Sequence, residues 1–211
     1  MTDPLVAAEG CSVRYQRGAQ PAVDGVTFTL GPGDGLLVTG GHGAGKTTLL
    51  RAIAGLVRAE GRLEVAGARP AAAARDGRIG FGPQGRTFAD GRSPRELVRL
   101  VAALRLGARG ARADPEALAE AALERAGLEA GRRDDRVLDI EDVRRLSLAG
   151  AIAADPPVVL LDDPWEFPET YEECLAARER GACLVIATGD PGGLPALVGE
   201  RVLVLAEGAP A

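Results

Sequence analysis

The feature that most constrains the fold of this chain is a glycine-rich segment between an apolar run and a helical pattern. The run GLLVTG before it is typical of a buried strand, and TTLLRAIAGLV after it has apolar residues at helical spacing. The segment itself, GGHGAGKT over residues 40–47, fits the pattern G-x-x-x-x-G-K-[ST]. Strand, loop and helix in this order predict a phosphate-binding loop (P-loop), and therefore an α/β fold with a mainly parallel sheet.

The residue types in this loop suit the binding of ATP with Mg²⁺. Glycines let backbone N–H groups converge on phosphate oxygens, and the N-terminus of the next helix adds a positive potential. We expect Lys46 to reach the β- and γ-phosphates and Thr47 to offer a hydroxyl ligand to Mg²⁺. His42 stands where the motif has no side-chain role, so we interpret it as a tolerated loop residue. The predicted nucleotide site comprises Gly40, Gly41, His42, Gly43, Ala44, Gly45, Lys46, Thr47 and Thr48.

Composition sharpens this interpretation. Lys46 is the only lysine among 25 basic residues, and His42 is the only histidine. A chain that otherwise uses arginine keeps a lysine where a compact point charge is needed. A single histidine excludes a multi-histidine metal site and a Ser-His-Asp triad elsewhere in the chain. The net charge of −5 argues against a nucleic-acid partner, because affinity for nucleic acid comes largely from neutralising phosphates.

The cysteines and the apolar runs bear on localisation. Three widely spaced cysteines, Cys11, Cys174 and Cys183, predict a reduced cytoplasmic chain without a disulfide framework or zinc site. No apolar run reaches the length of about 18 residues that a membrane span needs, and the first residues do not resemble a signal peptide. We therefore expect a cytoplasmic protein that could dock onto a membrane protein.

A second motif follows another apolar run. The residues VVLL at 158–161 lead into Asp162, Asp163 and Pro164. A carboxylate at the end of a buried strand beside a P-loop is placed to hold Mg²⁺ through water, and we predict this role for Asp162. The alternative is an acidic strand end that caps the following element.

Elsewhere, strand-like runs alternate with helix-like ones, which favours one α/β domain over residues 1–211. Apolar residues recur at helical spacing in the middle of the chain, so we predict a helical insertion at residues 93–140. Residues 67–77 are interpreted as a surface loop. The predicted strands are Val26–Leu30, Leu36–Thr39, Leu63–Ala66, Ile79–Gly82, Val158–Asp162, Ala182–Thr188 and Arg201–Ala206.

The order of these motifs resembles that of the ATP-binding cassette (ABC) transporter ATPases, especially the exporter branch that handles drugs and antibiotics. The resemblance runs from about residue 13 to residue 205 and includes Tyr15, the P-loop, FGPQ, RRLSLAGAIAADPPVVLLDDP and LVIATGD. It implies a P-loop fold of ABC type, with N-terminal antiparallel strands and residues 93–140 as a helical subdomain. It further implies that Tyr15 stacks on adenine, that Gln84 lies near Mg²⁺ and the attacking water, and that Asp163 is the catalytic carboxylate.

The resemblance also implies partners. Family members form head-to-tail dimers on a membrane permease at the inner face of the cell membrane, so a permease and a homo- or heterodimer are expected. By the same resemblance, the groove that receives the permease would lie between Gln84 and the helical insertion, with Phe88, Arg92, Arg95 and Arg99 as candidates. A solvated basic helix face is the alternative for these arginines.

Four departures from the family pattern predict slow hydrolysis. The segment at residues 138–142, LDIED, stands where the family has its LSGGQ signature, and its carboxylates should repel phosphate. Asp163 is one methylene shorter than the usual glutamate, and a misplacement near 1 Å can cost roughly 10²-fold in rate. Gly189 stands at the switch-histidine position, and the segment after Pro164 lacks a recognisable D-loop.

The sequence therefore favours an ATP-binding subunit of an ABC transporter that binds MgATP and hydrolyses it slowly. The alternative is a nucleotide-sensing or structural module of the same fold that regulates a protein partner. A GTPase is excluded, because the guanine-recognition motif N/T-K-x-D needs a second lysine.

Overall fold

The computed structural model describes residues 3–16, 20–85, 91–135, 137–164, 168–190, 192, 198 and 201–210. The strands are β1 (Val6–Val13), β2 (Val23–Leu30), β3 (Gly35–Thr39), β4 (Glu60–Val65), β5 (Ile79–Gly82), β6 (Val158–Asp162), β7 (Cys183–Thr188), β8 (Val202–Ala206) and β9 (Ala209–Pro210). The helices are α1 (Lys46–Ile53), α2 (Pro70–Arg75), α3 (Pro94–Arg109), α4 (Pro115–Arg125), α5 (Ile140–Ile152) and α6 (Pro168–Glu179).

The larger sheet carries the candidate site at one edge. Its strand order is β5-β6-β7-β3-β8-β9, and the strands from β5 to β8 run parallel. Thr39 pairs with Thr188, and Asp162 pairs with Ala187, so β3, β6 and β7 end side by side. The predicted α/β fold with a mainly parallel sheet is confirmed.

Both faces of this sheet are covered, which explains its continuous apolar strands. Val158 and Leu160 face a core cluster shared with α1 and the smaller sheet. Val159 and Leu161 face the opposite cluster, formed with α3, α4, α5 and α6. Residues of β6 and β7 are buried at every position, as expected for parallel strands between two layers.

The N-terminal strands form a separate antiparallel sheet in the order β2-β1-β4. The sequence prediction missed β1 and began β2 three residues late, at Val26. The pairing of β1 with β2 shifts register between Ala8 and Cys11, where Gly10 has a φ of 56°. This irregularity interrupts the alternating pattern by which a strand is recognised in sequence.

The prediction of a surface loop at residues 67–77 was wrong, because α2 lies within it. Pro70 occupies the first turn, where its missing N–H costs nothing, and Ala73 is fully buried against the core. The alanine run that looked like low-complexity loop is therefore a short helix with a packed face.

Two arginines of α3 attach this helix to the end of α5. The buried Arg105 guanidinium donates to the carbonyls of Ala151 and Ala153, and burial lowers the pKa of Arg105 to about 10. Arg109 donates to the carbonyl of Ala154 at 2.8 Å. Cations at a helix C-terminus satisfy its last carbonyl groups, so α3 and the C-terminal end of α5 are held together.

Of the described residues, no helix is both long enough and apolar enough to cross a membrane. Cys11, Cys174 and Cys183 are buried free thiols. Burial raises the pKa of both Cys174 and Cys183 to about 12.

Candidate functional site

The loop between β3 and α1 has a backbone that requires glycine. Gly40 has a φ of 146° and Gly45 a φ of 92°. A Cβ atom at Gly40 would collide with the carbonyl oxygen of Leu205, and one at Gly45 with that of Ala22. Gly45 is also the N-cap of α1 and offers no side chain to the first helical amides. The loop therefore presents backbone N–H groups and a helix N-terminus, an arrangement that suits an anion.

Lys46 and Thr47 place two different chemical groups beside this backbone. The Lys46 ammonium donates to the carbonyls of Gly40 at 2.7 Å and Gly41 at 2.8 Å. The Thr47 hydroxyl donates to Oδ1 of Asp162 at 3.0 Å, which joins the start of α1 to the end of β6. A hydroxyl and a carboxylate at this separation are the oxygen donors that Mg²⁺ prefers.

Asp162 is only 6% exposed. Burial raises the pKa of its carboxyl group above the usual range, and the neighbouring Asp163 carboxylate acts in the same direction. The hydrogen bond from Thr47 and the positive charges of Arg51 and Lys46 act against this rise in pKa. A bound cation would stabilise the ionised form of such a buried carboxylate.

Asp163 is held at each of its polar atoms. Its N–H donates to the carbonyl of Ala187 at 2.7 Å, and its own carbonyl accepts from Arg144 at 2.8 Å. The Gln84 amide donates to Oδ2 at 2.7 Å. The Thr188 hydroxyl lies 3.2 Å from Oδ1 and 3.0 Å from the carbonyl oxygen of Asp190. The backbone of Asp163 is left-handed, with a φ of 52°, a conformation that aspartate adopts more readily than most residues.

These groups surround one cleft of about 440 Å³. Its lining includes residues 42–48 of the P-loop and α1, together with Gln84, Asp162, Asp163 and the segment Ala187–Asp190. His42 lies on the exposed rim. Tyr15 is 59% exposed, and its hydroxyl group is 3.1 Å from that of Thr48 at the start of α1. The structure thus brings the sequence-predicted residues of the loop, β6 and the Gln84 segment into one place.

Gly189 lies at the edge of this cleft, directly after β7. A Cβ atom built on it would meet no atom within 4 Å. The position therefore has room for a larger side chain, and its glycine is not required by packing.

The LDIED segment forms the N-terminus of α5, and its carboxylates are paired within the chain. Asp139 is the N-cap and accepts from the N–H of Asp142 at 2.9 Å, a hydrogen bond that lowers the pKa of Asp139. Asp142 is buried with Arg132 at 2.6 Å, and Glu141 is 3.6 Å from Arg145. Arginines of the chain therefore pair with the carboxylates of this segment. The spacing of Glu141 and Arg145, four residues apart, was a readable signal for one of these pairs.

Two of the arginines predicted at the permease groove, Arg95 and Arg99, form ion pairs in the insertion itself. Arg95 is 3.0 Å from Asp134 and also contacts Glu120, and Arg99 is 3.5 Å from Glu116. Phe88 lies outside the described residues, as do residues 165–167, which begin the segment after Pro164.

Comparisons with known proteins point to one family. The family profile described as ABC transporter matches residues 23–166. The daunorubicin resistance ATP-binding protein DrrA3 of Streptomyces coeruleorubidus is 37% identical over 170 residues, which cover 78% of this chain and 52% of that protein. The cytochrome c biogenesis ATP-binding export protein CcmA of Hyphomonas neptunium is 32% identical over 201 residues, or 92% of this chain and 94% of that protein.

Similarity to solved structures extends over nearly the whole chain. The ATP-binding cassette MJ0796, in a dimeric post-hydrolysis state bound to ADP and Pi, has a TM-score of 0.83 at 22% identity and covers 97% of this chain. At this identity the similarity establishes the fold. The chain spans about half the length of DrrA3 and nearly the full length of CcmA.

Proposed function

Since the chain belongs to the ABC transporter family, among its ATP-binding proteins, we propose that it binds MgATP at the P-loop, hydrolyses it slowly, and drives or regulates a membrane permease. The observation that carries the proposal is the contrast within one cleft. The phosphate- and metal-binding groups are assembled, whereas the positions around Asp163 lack the groups for fast turnover.

The donor set fits MgATP. Glycines that cannot accept a Cβ atom form a close backbone cradle, and a lysine beside it supplies positive charge to phosphate oxygens. Thr47 and Asp162 would hold Mg²⁺, directly or through water, and bound Mg²⁺ would neutralise phosphate charge. The Gln84 amide nitrogen donates to Asp163, which leaves its carbonyl oxygen as the atom able to face the cation.

Three features support slow hydrolysis. Asp163 is one methylene shorter than the family's usual glutamate, so even a well-oriented carboxylate stops short of the water molecule it would polarise. Gly189 provides no side chain toward a γ-phosphate. The N-terminus of α5 is already capped by Asp139, so its amides are less available to a partner's nucleotide. Removal of one preorganised charge-stabilising group costs on the order of 10²–10³-fold in rate.

The names of the relatives support the proposed partners. DrrA3 is named for drug resistance and CcmA for export, which supports an exporter role here. MJ0796 forms a dimer, which supports pairing of this chain with a second cassette, identical or different. We place the chain at the inner face of the cell membrane, bound to a permease. Residues 93–140, which contain α3 and α4, would be the helical subdomain of a single nucleotide-binding domain.

Equilibrium titration with a fluorescent ATP analogue, with and without Mg²⁺, tests the proposal. We expect saturable, Mg²⁺-strengthened binding that Lys46→Ala weakens by about 10²-fold or more, because the ammonium charge is lost. Arg62→Ala, which removes an exposed cation paired with Glu9 and Glu64, is the matched control and should bind like wild type. Absence of binding in wild type, or equal binding in Lys46→Ala, would refute the proposal.

A further inference from the structure

The anchoring of Asp163 extends from the cleft into α5. Arg144 and Ser147 lie three residues apart, on one face of this helix, and each donates to a segment of the cleft. Arg144 donates to the carbonyl of Asp163 at 2.8 Å, and Ser147 donates to the carbonyl of Pro83 at 2.9 Å. Pro83 immediately precedes Gln84, whose amide donates to the Asp163 carboxylate. The two anchors and the Gln84–Asp163 bond therefore form a closed loop of contacts.

Helix α5 packs tightly against β5 beneath this ring of contacts. A Cβ atom on Gly80 of β5 would collide with the carbonyl oxygen of Ala151 in α5. One on Gly82 would lie 3.1 Å from the carbonyl oxygen of Ser147. Because β5 ends at Gly82, α5 lies directly against the strand end from which Pro83 and Gln84 continue. A displacement of α5 would consequently move Gln84 and Asp163 together.

The anchors stabilise an uncommon backbone conformation, because Asp163 is left-handed. A non-glycine residue at a φ of 52° is in a sparsely populated conformation and is held there by its surroundings. The guanidinium of Arg144 compensates by satisfying the carbonyl that this conformation turns toward α5. A charged donor makes a stronger hydrogen bond than a neutral one.

We propose that Arg144 and Ser147 are positioning residues that set the place of the Asp163 carboxylate and of Gln84, and so couple α5 to the nucleotide site. This inference rests on the proposed function, because it concerns hydrolysis of the nucleotide bound in that cleft. Neither side chain is among those lining the nucleotide cleft, so both act through the residues they hold.

The test compares Arg144→Ala with Arg144→Lys in the full chain. Single-turnover hydrolysis should be slower by about tenfold in Arg144→Ala, with ATP affinity within about twofold of wild type, since a misplacement near 1 Å can cost up to 10²-fold. Arg144→Lys, which keeps one charged donor, should recover most of the rate. Ser147→Ala should give a smaller loss of the same kind, and Arg62→Ala, an exposed ion-pair variant, none.

Amide hydrogen exchange provides a readout that does not need turnover. The Asp163 N–H is bonded to the carbonyl of Ala187, and its exchange in nucleotide-free protein should accelerate in Arg144→Ala and recover in Arg144→Lys. An unchanged hydrolysis rate in Arg144→Ala, whatever its exchange, would overturn the inference. So would equal loss of rate in the alanine and lysine variants. Failure of wild type to bind ATP would instead refute the proposed function, and the exchange comparison would still report on the anchors.

Discussion

The N-termini of α1 and α5 differ in whether a side chain of the protein caps them. Helix α1 begins after Gly45, a left-handed residue without a side chain, and its first amides border the cleft. Helix α5 begins after Asp139, whose carboxylate accepts the N–H of Asp142. Both ends carry the positive potential of a helix N-terminus. The N-terminus of α1 is open to an external anion in the cleft. The N-terminus of α5 is occupied by the chain's own Asp139 carboxylate, so the same positive potential is available for binding at α1 and not at α5.

The two sides of the cleft also differ in which groups are available to a ligand. On the α1 side, Lys46, Thr47 and Asp162 combine a cation, a hydroxyl and a buried carboxylate. On the opposite side, Asp163 is bonded at each polar atom, and Gly189 presents only open space. The proposed binding and the proposed turnover thus depend on different groups, and each can be perturbed separately.

The largest expected effect comes from Lys46→Arg on the binding side. The substitution keeps the charge but replaces a compact ammonium by a planar guanidinium, which does not fit a loop built for a point charge. We expect ATP affinity to fall by about 10²-fold in the fluorescent titration, close to Lys46→Ala. Arg62→Lys, the reverse exchange at an exposed ion pair, should leave affinity unchanged. Wild-type affinity in Lys46→Arg would show that charge alone explains why this lysine is retained.

On the turnover side, Gly189→His should raise single-turnover hydrolysis by about tenfold or more, because a positioned imidazole contributes roughly 10²–10⁴-fold as an acid or base in favourable cases. The side chain has room, since a Cβ atom at this position meets nothing within 4 Å. Gly189→Ala is the control for the added Cβ atom alone. Equal rates for the histidine and alanine variants would place the limit on turnover at Asp163 or α5 instead.

Removal of the Asp139 carboxylate tests whether it caps the N-terminus of α5. Asp139→Ala should lower the free energy of unfolding by about 1 kcal/mol, the usual worth of an N-cap. Asp114→Ala removes the N-cap of α4, which accepts from Glu116 at 3.0 Å, and should cost a similar amount. Denaturant unfolding measures both variants, and ATP affinity should stay at the wild-type value in each. An Asp139→Ala variant of unchanged stability would mean that the carboxylate does not act as a cap.

The smallest effect concerns pH and the metal. Because burial raises the pKa of Asp162, this carboxylate takes up a proton at a higher pH than an ordinary aspartate. A protonated Asp162 cannot hold Mg²⁺, so the gain in ATP affinity from Mg²⁺ should shrink as pH falls. Asp162→Asn removes the titrating group but not the ionisation of ATP itself. A Mg²⁺ effect with the same pH dependence in wild type and Asp162→Asn would contradict this assignment.

The parts of the fold that were predictable are those that short segments determine. The P-loop is specified by glycines at positions where a Cβ atom cannot fit, and β6 by an apolar run buried on both faces. Strand β1 was missed because the shift of register at Gly10 breaks its alternation. Helix α2 was missed because its alanines carry little amphipathic signal, although Pro70 at its first turn was a usable clue.

The parts of the site that were not predictable depend on contacts between distant segments. Arg132 compensates Asp142 from a different element, so the sequence alone presented the LDIED segment as an acidic cluster. The anchoring of Asp163 joins residues from α5, β7 and the segment after β5. Spacing along the chain contains no information about such contacts until the sheet order is known.

Slow hydrolysis at the P-loop is tested most directly by the identity of the nucleotide that the protein retains. Wild-type protein would be mixed with radiolabelled ATP and Mg²⁺, separated rapidly from free nucleotide at successive times, and the bound label resolved into ATP and ADP. We predict that the bound nucleotide is mainly ATP after many minutes, and that Lys46→Arg retains almost none. Retention of ADP within seconds would contradict slow hydrolysis, and absence of retained nucleotide in wild type would contradict binding at the P-loop.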